Sequence, residues 1–92
     1  MKVKILRVVA QTDAVMVPSR KQENGQIAKS ILRLKELGGE YEDEFVCSLF
    51  GDLALQKFVS GKMVVVALRF QARETNGAYY QDVVINEIVP IN

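Results

Sequence analysis

Ninety-two residues suffice for one small domain and not for two, so the chain is expected to be a single domain over residues 1–92. Apolar residues make up 49% and charged residues 25%, the balance of an ordinary folded chain, which argues against a disordered one. A net charge of +1 does not by itself point to a polyanionic partner, because an even total can hide a basic face opposite an acidic one.

The longest apolar run, Met63 to Leu68, is far too short to span a bilayer, so no membrane association is expected. The start MKVKILRVVAQTDAVMV faintly suggests a signal peptide, but Arg7 and Asp13 interrupt it, and a cytoplasmic location is the default expectation. A lone Cys47 cannot close an internal disulfide. Without histidine it also lacks the usual partners for zinc or for a thiol nucleophile. The carboxylates are scattered or gathered in the turn-like run GEYEDE. No enzyme, metal or cofactor is therefore expected.

Residues 2–9 read as a first strand, with Val3, Ile5 and Val9 on one side and Leu6 and Val8 on the other; it can continue to Pro18. PSRKQENG, 18–25, is a polar turn or mobile hairpin tip closing on Asn24-Gly25. QIAKSILRLKEL, 26–37, is ambiguous. Ile27, Ile31 and Leu34 carry helical spacing, whereas a period of two puts Ala28, Ser30, Leu32 and Leu34 on one face and Lys29, Arg33 and Lys35 on the other.

After Gly38-Gly39, residues 41–50 alternate, with Phe45, Cys47 and Leu49 against Val46, Ser48 and Phe50. Asp52 is a candidate N-cap for a helix of about two turns through Phe58, ended by Ser60-Gly61. Met63–Arg73 is a strand with an apolar face of Val64, Val66, Leu68, Phe70 and Ala72, and Arg69, Gln71 and Arg73 on the other. ETNG is a hairpin turn, and residues 78–91 are a last strand whose facing is open, because Val83, Val84 and Ile85 do not alternate.

A short helix between the third and fourth strands of an antiparallel unit is the layout of a five-stranded Greek-key OB-fold barrel, an all-β class. Such a barrel needs a strand between the first and third, which assigns residues 26–37 to strand; the helical alternative gives a mixed α+β sheet.

At these residues the chain resembles the bacterial single-stranded DNA-binding protein family, or a small tail-less OB-fold relative of it, over about half its length, Phe45 to Ile88. LFGDLALQKFVSGKMVVV resembles the family's aromatic-ended strand, short helix and entry to strand four. LRFQARETNGAYYQDVVINEI resembles its Arg-bearing strand, hairpin and closing strand. The chain departs from the family in having no tryptophan, with Glu44 and Thr75 at two positions where one is expected. It also stops at IVPIN, so recruitment of other enzymes through a flexible acidic tip is not expected.

The resemblance implies binding of single-stranded DNA, favoured over RNA, with little sequence preference, protecting the strand during replication, recombination or transfer. It also implies a homo-oligomer, a dimer or tetramer. Stacking on an aromatic face contributes about 1–3 kcal/mol per base. Phe50 matches a stacking Phe of the family, although composition alone makes it a core residue. Lys29, Arg33, Arg69 and Arg73 would form a basic stripe, or an ordinary solvated strand face. If all four engage phosphates, log affinity falls against log salt with a slope of about −3. Arg20 and Lys21 sit in a loop that either closes over ligand or is a charged hairpin tip. Of Tyr79 and Tyr80 one points inward, and Tyr79 is taken as the exposed, base-contacting member. The rival expectation is an OB-fold protein-interaction module without nucleic-acid binding, favoured by the missing tryptophans and the acidic run at Glu40–Glu44.

Overall fold

The computed structural model describes residues 1–91. Six strands and one helical turn follow in the order β1 (Lys2–Gln11), β2 (Val15–Pro18), β3 (Gln26–Glu36), β4 (Glu44–Phe50), α1 (Asp52–Leu55), β5 (Met63–Thr75) and β6 (Ala78–Ile91). Residues 26–36 are strand: Ala28, Ser30, Leu32 and Leu34 are buried on one face, as the period of two requires. No helix among the described residues is long and apolar enough to cross a membrane.

The strands run in the order β1-β5-β6-β4-β3-β2, and a further β1–β3 pairing closes five of them into a ring. All pairings are antiparallel except β4–β6, which meet in parallel at a single bridge, Ser48 to Val84. The expected all-antiparallel set is corrected at that seam. The first strand also divides in two. β2 leaves the ring and pairs only with the start of β3, Val15 opposite Lys29 and Pro18 opposite Gln26.

The core lies inside the ring. Leu6, Leu32, Leu34, Leu49, Val66 and Leu68 are essentially inaccessible, and Ala54 and Phe58 join the same cluster. Burying each such aliphatic side chain stabilises the fold by about 1.5–3 kcal/mol.

The segment after β4 differs from expectation. The helix is one turn, not two, and its N-cap is Gly51 (φ 67°, ψ −135°), not Asp52, with no side-chain cap bond. The cause lies in β1. Gln11 Nε2 donates to the Gln56 carbonyl at 2.8 Å and Gln11 Oε1 accepts from the Phe58 N–H at 2.9 Å, which holds residues 56–58 extended and drops Phe58 into the core. Buried Ser30 donates to the Ala54 carbonyl at 3.0 Å, tying the turn to β3. Ser60-Gly61 therefore serves the entry to β5. The Gly61 N–H donates to the Val8 carbonyl, and the Val8 N–H donates to the Lys62 carbonyl, both at 2.8 Å.

β5 outlasts the ring. Its pairing with β1 ends at Leu68 opposite Lys2, and beyond that it pairs only with β6 as a two-stranded arm. The expected apolar face consequently stops being buried at Leu68: Phe70 and Ala72 are exposed. Asn76 and Gly77 turn the arm with positive φ at both positions (52° and 80°), the twist that suits a two-residue hairpin. Val83, Val84 and Ile85 do alternate, with Val84 on the outward face although it is apolar; alternation breaks further on, at a bulge at Asn86 between the Ala67–Glu87 and Leu68–Ile85 pairs. The extra residue lets both Ile85 and Ile88 face the core.

Candidate functional site

Alternation puts Lys29, Ile31, Arg33 and Lys35 on the outward face of β3, and Val46, Ser48 and Phe50 on that of β4. Register then aligns them. Lys29 is opposite Phe50, Ile31 opposite Ser48, and Arg33 opposite Val46. Across the parallel seam Ser48 meets Val84, which is opposite Arg69, and the same face continues along the arm through the Gln71–Asp82 and Arg73–Tyr80 pairs.

The result is an open concavity of about 250 Å³ lined by Lys29, Ser48, Phe50, Arg69, Gln71, Arg73, Asp82 and Val84. Lys29 Nζ lies 5.6 Å from the Phe50 ring centroid. Among the described residues neither Lys29 nor Arg69 has an ion-pair partner. Arg73 does: its Nε donates to Asp82 Oδ2 at 2.8 Å, and its guanidinium carbon lies 4.7 Å from the Tyr80 ring centroid.

The sequence-derived candidates thus divide. Phe50, Lys29, Arg69 and Arg73 share the concavity. Arg33 lies on the same sheet face but outside it, in a shallower groove with Ala10, Thr12, Ile31 and Val46. There Arg33 Nε donates to Glu44 Oε1 at 2.7 Å. That hydrogen bond, then the attraction between the two charges, raises the arginine above its usual value; the same bond holds the Glu44 carboxyl below the usual range. Two of the four cations in the expected stripe are therefore already paired with carboxylates.

Arg20 and Lys21 sit in the exposed 19–25 loop of the β2–β3 hairpin and do not line the concavity. Tyr79 is the more exposed tyrosine, 78% against 47% for Tyr80. It stands opposite Glu74, on the other face of the arm from Arg73, so it does not share a surface with Phe50.

Tyr80, Asp82, Gln71 and Ser48 were missed. The signal for the first three was present: counting outward in pairs from the two-residue turn at Asn76-Gly77 puts Arg73 against Tyr80 and Gln71 against Asp82. Cys47 belongs to the core, fully buried, and burial pushes its thiol up to about 12. A thiol so disfavoured as thiolate is not a nucleophile. Among the described residues no group of three or more Cys, Asp or Glu is placed to hold a metal ion.

No family model matches this chain, and no curated protein matches it.

Proposed function

We propose that this chain is an OB-fold protein that binds single-stranded DNA with little sequence preference, by stacking bases on Phe50 and neutralising phosphates with Lys29, Arg69 and Arg73. One observation carries the reading: an aromatic ring and three cations from β3, β4 and β5 line one open concavity. A strand lying across it meets a π-face and cations together, the combination that sequence-tolerant single-strand binding uses. The five-stranded ring with a helical turn between β4 and β5 is compatible with the fold. DNA is favoured over RNA through the family likeness, with protection of the strand in replication, recombination or transfer as the role.

The proposal includes a homo-oligomer. Residues 2–5 of β1 pair with β5 on one side and with no described strand on the other. The outward row beside that edge, Ile5–Val65–Val89, is apolar, with Ile5 52% and Val89 60% exposed. A second copy offering the same edge satisfies the unpaired backbone and covers the apolar row in one symmetric contact.

The test is a titration of labelled oligo-dT at low and at moderate salt, for the wild type, Phe50→Ala and Arg69→Ala/Arg73→Ala. Salt-sensitive binding that both variants weaken is the expected result. No binding at low salt, or binding indifferent to salt, overturns the reading. It would favour the alternative, an OB-fold protein-interaction module, for which the exposed apolar row and the carboxylate-paired Arg33 and Arg73 speak.

A further inference from the structure

We propose that Asp82 is a built-in counter-anion of the concavity, occupying Arg73 in the free protein so that a bound polyanion has to compete with it. The inference rests on the reading of the concavity as a nucleic-acid surface. Asp82 is the acidic member of a lining that otherwise holds Lys29, Arg69 and Arg73 as its charged groups. It reaches Arg73 diagonally across the arm, two pairs along from the Arg73–Tyr80 pair and on the same face, with Oδ2 accepting from Nε at 2.8 Å. The Tyr80 ring supports the same guanidinium, at 4.7 Å. Arg73 is thus held by two groups of its own hairpin, with its charge offset.

A cation already balanced by a fixed carboxylate adds little counterion release when a phosphate arrives, whereas Lys29 and Arg69 have no such partner among the described residues. The free protein therefore presents a two-cation face, and removing the carboxylate converts it to a three-cation face. The pairing sets affinity low and keeps binding readily reversible.

The experiment measures oligo-dT affinity across a salt series for the wild type, Asp82→Asn, Arg73→Ala and the double variant, with far-UV circular dichroism as the check on folding. The wild type is expected to give a log–log salt slope of about −1.4, and Asp82→Asn about −2.1, on the single-strand coefficient of roughly 0.7 per phosphate. Affinity at low salt should rise about fivefold in Asp82→Asn, the upper range for an exposed ion pair. In the Arg73→Ala background, Asp82→Asn should leave the slope unchanged. Wild-type binding with no steepening in Asp82→Asn overturns this inference and leaves the proposed function standing. Equal steepening with and without Arg73 also overturns it, because the effect then comes from net charge. Failure of both wild type and Asp82→Asn to bind at low salt overturns the proposed function, and this inference with it.

Discussion

Lys29 and Phe50 stand directly opposite each other on β3 and β4, and the lysine ammonium lies 5.6 Å from the centre of the phenyl ring. A cation over an aromatic face at an exposed site contributes about 0.5–1 kcal/mol, which helps hold the ring in place on the outward face. In the proposed function, Phe50 stacks a base and Lys29 meets its phosphate. Phe50→Ala should therefore weaken oligo-dT binding by about 1–3 kcal/mol per base stacked, roughly 5- to 150-fold. Phe50→Leu should lose most of the same affinity and Phe50→Tyr little. Equal binding by Phe50→Leu and wild type in fluorescence anisotropy would show that bulk, not the π-face, matters there.

Ser30 is the one buried polar side chain among the described residues, and its hydroxyl donates to the Ala54 carbonyl while lying 3.4 Å from Gln11 Nε2. Ser30→Ala fits the space but leaves that carbonyl without its donor. The expected cost is about 1–3 kcal/mol in a urea melt, from an orphaned buried acceptor. A midpoint unchanged from wild type would mean that the helical turn is not held by this bond.

Cys47 should resist a water-soluble thiol reagent in the folded protein, since its sulfur is fully buried and its pKa is pushed up to about 12. Its labelling rate should follow the urea unfolding curve. Fast labelling under native conditions would contradict the closed ring.

Acid should remove a contribution from the Arg33–Glu44 pair. The Glu44 carboxyl is held below its usual value in the fold, so the unfolded chain binds its proton more readily. The contribution is present above the ordinary glutamate range, about pH 4.3, and is lost as pH falls through the lower folded value. Arginine stays charged throughout, so the raised Arg33 value adds no transition there. Glu44→Gln should show a shallower loss of thermal stability on acidification than wild type, and salt should narrow the gap, because the pair is exposed. Parallel acid profiles for the two proteins would rule out this contribution.

Ile5→Lys puts a charge into the apolar row beside the unpaired edge of β1. If a second copy covers that row, light scattering after size exclusion should give a multiple of the 10.3 kDa chain mass for wild type and the single mass for the variant. A monomeric wild type would remove the proposed contact.

The strand faces of β3 and β4 were legible in the sequence, whereas that of β6, which also lies between two ring strands, was not. In β3 the pattern Ala28, Ser30, Leu32, Leu34 is read at period two and is buried at period two. In β4 the face of Phe50 separates from that of Cys47 and Leu49 by the same rule. Residues 26–37 also carry helical spacing, so the local pattern alone did not choose; the need for a strand between its neighbours did. The helix after Asp52 looked longer than it is, because its end is imposed by Gln11, at least 45 residues earlier in the chain than the groups it bonds.

Period and turn chemistry are local properties, and the sequence by itself determined them: the alternating faces, the Asn76-Gly77 hairpin and, through that turn's register, the residues facing each other along the arm. Closure of the ring, the bulge at Asn86 and the meeting of Phe50 with Arg69 and Arg73 across the parallel seam were decided only by the tertiary structure. So was the fate of each cation, since Arg33 and Arg73 are matched with acids on neighbouring strands while Lys29 and Arg69 are not. The physical reason is that pairing between distant segments sets which side chains come within a few ångströms, and charge at that range depends on neighbours that no local window contains.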